Sequence, residues 1–581
     1  MLSSMTRRGG AVHVATTTRR YKDKVYQTHL LRRTYREGGK VRHQTLGNLS
    51  HLPPETIEVV RASLAGEKLL PLSAFAITRS TPHGHVAAVW AMAAKLGLAE
   101  VLGPPGPHRD LALALIVARV CRPGSKLATT RWWTRSTLGA DLGVADCTTD
   151  DVYAAMDWLH DRQADIEAAL AQRHLVQGGM VLYDVSSSYV EGTHCPLAAR
   201  GHSRDGKPSK PQIVYGLTTD PEGRPVAIEV FEGNTADPTT FPAAVEKVRT
   251  RFGLSQVVMV GDRGMITTAR IEALQEIGGV GWITSLRAPA IRALAEAGSI
   301  QVSLFDQTNL AEITHPDYPK ERLVACRNPA LGAERARKRQ ELLSATEREL
   351  DKIVAATSRK RAPLRGKDRI GVRVGRVLGR YKMAKHFVIE IGEDTFTYAR
   401  DQARIDAEAA LDGIYVIRTS VAASELKAAD VVLAYKRLAE VEADFRSLKT
   451  VDLELRPIHH WRPERVRAHA LICMLARYLA WHLRRAWAEL TFADEEPPAR
   501  SDPVAPAKRS ATARAKASTR RTPQGRPTES FATLLEELAT LTRNEIKVPG
   551  ASEPFEMLST PSELQRRAFE LLGVKVPIRL V

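Results

Sequence analysis

The sequence predicts an α/β protein whose mixed-sheet core is interrupted by an α+β insertion and preceded by a small β module and a helical domain. Three observations carry that expectation. Before residue 175 apolar residues recur at spacings of three and four; after Gly178-Gly179 strand-like runs replace them; a highly charged helical stretch then interrupts the strands, which resume near residue 413. At 581 residues the chain has room for about three or four domains. A hydrophobic fraction of 44% beside 26% charged residues is that of a folded globular chain.

Residues 1–50 read as a basic β-hairpin module, with strand-like runs at 26–35 and 40–46 around Gly38-Gly39 and with Arg, His and Thr alternating on one face. Residues 51–178 read as a helical, DNA-binding domain, through Leu111, Leu113, Leu115 and Ile116 and again through Val152, Met156, Leu159 and Ile166. Its run Arg131-Trp132-Trp133-Thr134-Arg135 suits either a grip on a DNA backbone or a core edge with snorkelling arginines.

Residues 179–286 read as the first part of the core. Strands are expected at 180–185, 212–219 and 225–231, the latter two joined by the turn Asp220-Pro221-Glu222-Gly223. A helix at 238–252, a strand at 256–261, a helix at 267–277 and a strand at 280–285 follow. The order βββαβαβ is that of an RNase H-like core.

Residues 287–412 read as the α+β insertion, with a charged helix over 334–356 and strands at 385–391 and 395–398. Its Arg335, Arg337, Lys338 and Arg339 form either a surface that faces DNA or a solvated face balanced by Glu341, Glu347 and Glu349. Residues 413–496 return to the core with a strand at 413–419 and two long amphipathic helices, 424–449 and 464–490. Residues 497–528, rich in Pro, Ala, Ser and Thr and carrying Lys508, Arg509, Arg514, Lys516, Arg520, Arg521 and Arg526, read as a disordered basic linker. Residues 529–581 form a helical tail, started by Thr560-Pro561-Ser562-Glu563 and stopped by Gly573.

Lys and Arg number 84 against 66 Asp and Glu, a net charge of +18 that suits a polyanionic partner. The five cysteines are widely spaced and include no CxxC, which argues against a disulfide framework and a zinc finger and fits a reducing cytoplasm. His194-Cys195 with His202 is a poor zinc set, because adjacent ligands do not easily face one ion and a fourth is missing. The greasiest run, 111–120, is far shorter than the roughly 20 residues of a membrane span. No membrane partner is expected.

Asp184 follows the apolar run Val181-Leu182-Tyr183, and Asp262 follows Val257-Val258-Met259-Val260 within Gly261-Asp262-Arg263-Gly264, so both acids are expected at strand ends of one sheet. Either could instead simply close a turn. A third acid, Glu442, lies on a helix where Tyr435, Glu442 and Lys449 recur every seven residues. Such a repeat drifts only about 20° per heptad and keeps the three on one face. Arg446 shares that stripe, while Phe445 and Leu448 can anchor it in the core.

These residues resemble one large branch of the DDE-type insertion-sequence transposases, whose signature around the last acid is Y-x2-R-x3-E-x6-K. Tyr435, Glu442 and Lys449 match it; at the arginine position stands Leu438, with Arg437 one place earlier. Tyr183-Asp184-Val-Ser-Ser-Ser188, Gly216-Leu217, Phe231-Glu-Gly233-Asn234-Thr235 and Gly261-Asp262-Arg263-Gly264-Met265 resemble the family's two aspartate regions. The likeness runs over residues 179–490. Relatives of this type stack a tryptophan on a flipped base, yet no tryptophan lies between Trp282 and Trp461.

The resemblance implies Asp184, Asp262 and Glu442 as catalytic, metal-holding acids, with Mg2+ as cofactor and Mn2+ as its substitute. It implies Tyr435, Arg446 and Lys449 as DNA-binding residues. The expected partners are double-stranded DNA, at the element's ends and at the target, and a second copy of the chain in a synaptic homodimer or larger assembly in a bacterial cytoplasm. A non-catalytic DNA-binding descendant, or an RNase H-like nuclease without strand transfer, is the alternative.

Overall fold

The computed structural model describes residues 10–580 apart from 23, 68–73, 302–304, 306–307, 501 and 550–552. It forms two compact units, one of residues up to 80 with 544–557, the other of 81–543 with the residues from 558 on. Residues 1–9 of the β module lie outside the described residues.

In the first unit, β1 (Ala11–Tyr21), β2 (Lys24–Glu37) and β3 (Lys40–Asn48) make an antiparallel sheet, so the expected hairpin gains a strand before it. Gly38 and Gly39 adopt positive φ at the β2–β3 turn, as a two-residue hairpin requires. Cross-strand pairs such as Thr34 with His43, 3.0 Å apart, tie the strands, and helix α1 (Pro54–Leu64) follows.

The second unit opens with helices α2 (Gly84–Lys95), α3 (Pro107–Cys121), α4 (Lys126–Trp133), α5 (Thr149–Asp161) and α6 (Gln163–His174). Trp133 is fully buried and Trp132 nearly so, which places this aromatic pair in the core rather than on a DNA-facing surface. Met156, Leu159, Ile166 and Leu170 share one apolar cluster with the strands that follow.

Those strands are β4 (Met180–Tyr189), β5 (Gln212–Thr219) and β6 (Pro225–Glu232); then come α7 (Asp237–Glu246), β7 (Val257–Val260), α8 (Thr268–Ile277) and β8 (Val280–Ser285). β9 (Leu310–Ile313) and β10 (Arg322–Arg327) precede helices α9 (Pro329–Thr357) and α10 (Lys367–Tyr381), the hairpin β11 (Phe387–Ile391) and β12 (Phe396–Arg400), and β13 (Ile414–Thr419). Eight strands join in the order β9-β10-β13-β8-β7-β4-β5-β6. β4 pairs antiparallel with β5 and parallel with β7, and β7 parallel with β8. The fold is therefore a mixed α/β fold. The insertion is less separate than its sequence suggests, because β9 and β10 extend the central sheet through β13. The rest of the insertion keeps a core of its own, built from Leu343, Leu350, Ile353, Ile370, Val374, Phe387 and Phe396.

The basic start of α9 is largely neutralised. Arg337 pairs with Glu334 at 2.8 Å and Glu341 at 2.6 Å, Lys338 with Glu334 at 3.1 Å, and Arg339 with Asp412. Three of the four groups expected to face DNA thus have carboxylate partners.

Beyond β13 the expected single helix over 424–449 is three pieces: α11 (Ala428–Lys436), α12 (Leu438–Arg446) and a π-helical turn, Ser447–Val451. No proline or glycine marks the break at Arg437. The neighbouring Lys436 donates to the carbonyls of Pro503, Val504 and Ala505 at 2.6–3.0 Å, a tertiary anchor that helix propensity does not encode. Helix α13 (Pro463–Ala486) then runs through the core, buried on most of its length. Among the described residues no helix is long and apolar enough to cross a membrane.

Residues 497–528, expected as a disordered linker, contain helix α14 (Ala511–Thr519). Ser510 caps it by accepting from Ala513 N, and the Lys516 ammonium is buried, donating to Ala488 O at 3.0 Å and Glu495 Oε1 at 2.8 Å. Its composition resembles disorder, but alanine is also the best helix former and the buried Lys516 ammonium docks it. The tail contains α15 (Phe531–Ala539) and α16 (Glu563–Leu572), whose Leu534, Leu538, Phe569 and Leu572 join the main core. The helix starts two residues later than the expected cap at Thr560, with Ser562 and Gln565 forming a capping box, and Gly573 ends it at positive φ as expected.

Candidate active site

Asp184 is the fifth of ten residues in β4, opposite Leu217 of β5, and so sits mid-strand rather than at the strand end. Alternation along the strand sends its neighbours Tyr183 and Val185 to the opposite face. There Tyr183 is buried over Gly216, whose added Cβ would lie 2.2 Å from the tyrosine hydroxyl. Only glycine admits that ring, which explains the Gly216 position.

Asp262 lies two residues past β7 in the turn before α8, and its Oδ1 accepts from Gly264 N at 2.7 Å and Met265 N at 3.0 Å. The carboxylate therefore does close a turn. It also lines a cavity with Asp184 and Glu442, the latter exposed on α12. Three separate elements bring the three predicted acids together.

The acids are shared by two adjoining hollows of about 950 and 460 Å³. The larger is also lined by Arg335, Lys338, Arg339, Lys385 and His386 of the insertion, with Asp412 and Glu408 paired to Arg339 and Lys385. The smaller is lined by Arg204, Asp205, Arg446, Lys449 and Arg456. Burial pushes the Asp184 carboxyl up to about 7, and the Asp262 and Glu442 charges add to that, against the Val185 N–H at 2.8 Å and Arg204.

Tyr435, Glu442 and Lys449 all reach these hollows, although not as one straight stripe. The π turn changes the helical register just where Lys449 lies, and such turns often mark functional segments. The Lys449 ammonium meets Asp205 Oδ1 at 3.1 Å, and Arg456 pairs with the same oxygen. Burial lowers the proton affinity of Lys449, and Asp205 opposes that shift. The Tyr435 hydroxyl is 2.8 Å from that of Ser285 on β8. Leu438, at the signature's arginine position, is buried and lines the larger hollow. Arg437 is on another side, its Nη1 3.4 Å from the carbonyl of Pro221.

Sequence reading missed Asp205, which also accepts from Tyr189 N at 3.1 Å, and the neighbouring pair Arg204–Asp237 at 2.6 Å. Neither stands in a periodic or motif context. His194, Cys195 and His202 are not gathered into a metal site, and among the described residues no group of three His, Cys, Asp or Glu side chains stands ready to hold an ion.

Residues 179–479, more than half of the chain, match the family described as the transposase DDE domain. The chain belongs to the DDE transposases. Residues 14–70 match the N-terminal domain of IS1634 family transposases, so this is a DDE-type insertion-sequence transposase, and its family likeness reaches the β module that sequence reading had set aside. No curated protein matches the chain. Among solved structures, a piggyBac transposase synaptic complex with hairpin DNA is similar over 78% of this transposase and 76% of that chain, at 10% identity and a TM-score of 0.35. At that level the likeness carries no argument.

DDE transposase domains use divalent metal ions. The donor set fits such an ion in kind: three hard carboxylates on one hollow, with the Asp184 carboxyl held towards neutrality by burial and by the other two, an arrangement a cation would relieve. As they stand, the three are not drawn into one ligand set.

Proposed function

We propose that this transposase binds the terminal inverted repeats of its own element and there cuts and rejoins DNA strands, with Asp184, Asp262 and Glu442 as the catalytic acids. The observation that carries the reading is the convergence of these carboxylates, from β4, the turn after β7 and α12, on adjoining hollows whose linings also include Arg335, Lys338, Arg446 and Lys449. The strand order β6-β5-β4-β7-β8, with only the first two steps antiparallel, supports an RNase H-like core. The Tyr435, Glu442 and Lys449 positions support the branch with the Y-R-E-K signature.

The three acids would hold Mg2+, or Mn2+ in its place, which supplies Lewis-acid stabilisation to the attacking and leaving oxygens of a phosphodiester. The chain's own groups position the strand. Lys449 exchanges Asp205 for a DNA phosphate, exposed Arg446 takes another from the same wall, and the Tyr435 hydroxyl, oriented by Ser285, faces the larger hollow. Two ends require two protomers, so the working form is a homodimer or larger.

The test offers duplexes from the element's ends to the wild type and to Asp184→Asn, Asp262→Asn and Glu442→Gln in Mg2+. Each variant should still bind and fold but neither nick nor join; normal cutting by any one removes that residue from the site. Supplying a separate acceptor duplex distinguishes strand transfer from hydrolysis alone.

A further inference from the structure

The strongest unassigned surface lies on the insertion. Residues 358–385 carry eleven lysines and arginines against a single acid, Asp368. Within them α10 buries Ile370, Val374 and Leu378 and leaves Arg369, Arg373, Arg376 and Arg380 exposed. At 3.6 residues per turn these four, spaced by four, three and four, fall within about 60° of one another and form a stripe about 16 Å long.

The contrast with α9 is in the partners. Where α9 neutralises Arg337 and Lys338 within its own helix, none of the four α10 arginines has a carboxylate at ion-pair distance among the described residues. Glu349, the acid whose charge is felt beside Arg380, is already paired with Lys352 at 2.5 Å. Asp368 is about 80–140° around the helix from the four arginines. Such a row of like charges repels itself until an extended polyanion covers it.

We propose that the Arg369, Arg373, Arg376 and Arg380 face of α10 docks the sugar-phosphate backbone of duplex DNA. A duplex strand offers one phosphate per roughly 3.4 Å of axis, enough anions along the stripe to meet all four guanidinium groups. Contacts of that kind fix position without reading sequence. The docking surface is independent of the three acids and of any metal they hold.

The experiment measures fluorescence anisotropy of a labelled duplex of arbitrary sequence with the full chain, in EDTA, across a series of salt concentrations. Replacing all four arginines by glutamine should weaken binding by about tenfold or more near 0.1 M salt and flatten the slope of log affinity against log salt by about 3.6, at roughly 0.9 per lost phosphate contact. Replacing them by lysine should preserve the slope. Arg337→Gln, at a guanidinium already paired with Glu334 and Glu341, should leave it unchanged. If the fourfold variant does not melt like the wild type, Arg376→Gln alone should lower the slope by about one. An unchanged slope and affinity in a folded glutamine variant overturns the proposal, and because EDTA removes cleavage, that failure is separate from any failure of the acids' assignment.

Discussion

Asp184, Asp262 and Glu442 crowd three carboxylates around one hollow, while Arg119, Lys126, His460 and His469 crowd four bases where α3, α4 and the start of α13 meet. The acids open onto cavities, and Asp262 and Glu442 are exposed. The bases are closed in: Lys126 and His469 are buried, the ammonium 3.3 Å from His469 Nδ1, while the other ring nitrogen donates to Leu455 O at 3.1 Å. Arg119 donates to the carbonyl of Gly124 at 2.9 Å. A closed cluster can relieve its repulsion only by shedding protons, whereas an open one can keep its charge for a counter-ion from outside. Burial accordingly lowers Lys126 to about 7 and His460 to about 3, each pushed further by the neighbouring cations. Like charge alone therefore does not mark a site; like charge with access does.

The largest effect that would sharpen the contrast is on catalysis. Asp184→Asn, Asp262→Asn or Glu442→Gln should reduce metal-dependent cleavage to background while leaving the melting temperature equal or higher, since each relieves repulsion. Lys126→Met should do the reverse, leaving cleavage near wild type and changing stability. Parallel cleavage and melting assays that showed the same pattern for both clusters would break the comparison.

Next comes acid sensitivity. His460 and His469 have folded-state proton affinities well below the ordinary value of 6.5, so the unfolded chain binds more protons below that pH. Stability should therefore rise as pH increases from about 4 to 6.5, and be lost on acidification through that window, by up to about 1.4 kcal/mol per pKa unit for each group. Urea melts across that range on wild type and on His460→Phe should show a shallower loss in the variant. Equal slopes would mean that the closed cluster does not set the acid response.

Lys126 predicts a smaller change on the alkaline side. Its folded-state affinity near 7 lies below the unfolded value of 10.5, so stability should rise between about pH 7 and 10 in the wild type. Lys126→Met should lack that rise and differ from wild type at pH 7 by only about 1–2 kcal/mol. A wild-type alkaline rise retained in the variant would show that another group is responsible.

The smallest effect concerns the edge of the open cluster. Lys449→Ala should weaken cleavage and joining several times more than overall DNA affinity, because many other basic groups share binding, and Lys449→Arg should restore part of the loss. If Lys449→Ala cuts and joins at the wild-type rate, the Asp205–Lys449 pair serves only the fold.

Much of this was legible from local signals. Strand runs, the turn at Asp220-Pro221-Glu222-Gly223 and the heptad of Tyr435, Glu442 and Lys449 all depend on residues a few positions apart, where pleat and helix periods act directly. The same signals misjudged α14, whose alanines and basic residues were read as disorder before Lys516 found Glu495. They also read α11, α12 and the π turn as one helix, since nothing in the residues from 435 to 449 opposes helix formation.

By itself the sequence determined which residues could do chemistry: three acids beside apolar runs, a basic surplus, and helix and strand order. Tertiary structure decided their company. Asp205 and Lys449 are 244 residues apart, and Asp412 and Arg339 are 73 apart, so no local pattern announces either pair. Whether an arginine such as Arg339 meets a carboxylate, or, like those exposed on α10, meets none among the described residues, depends on which acids the fold brings within a few ångströms, and for Arg339 and Asp412 that distance is set by packing rather than by spacing along the chain.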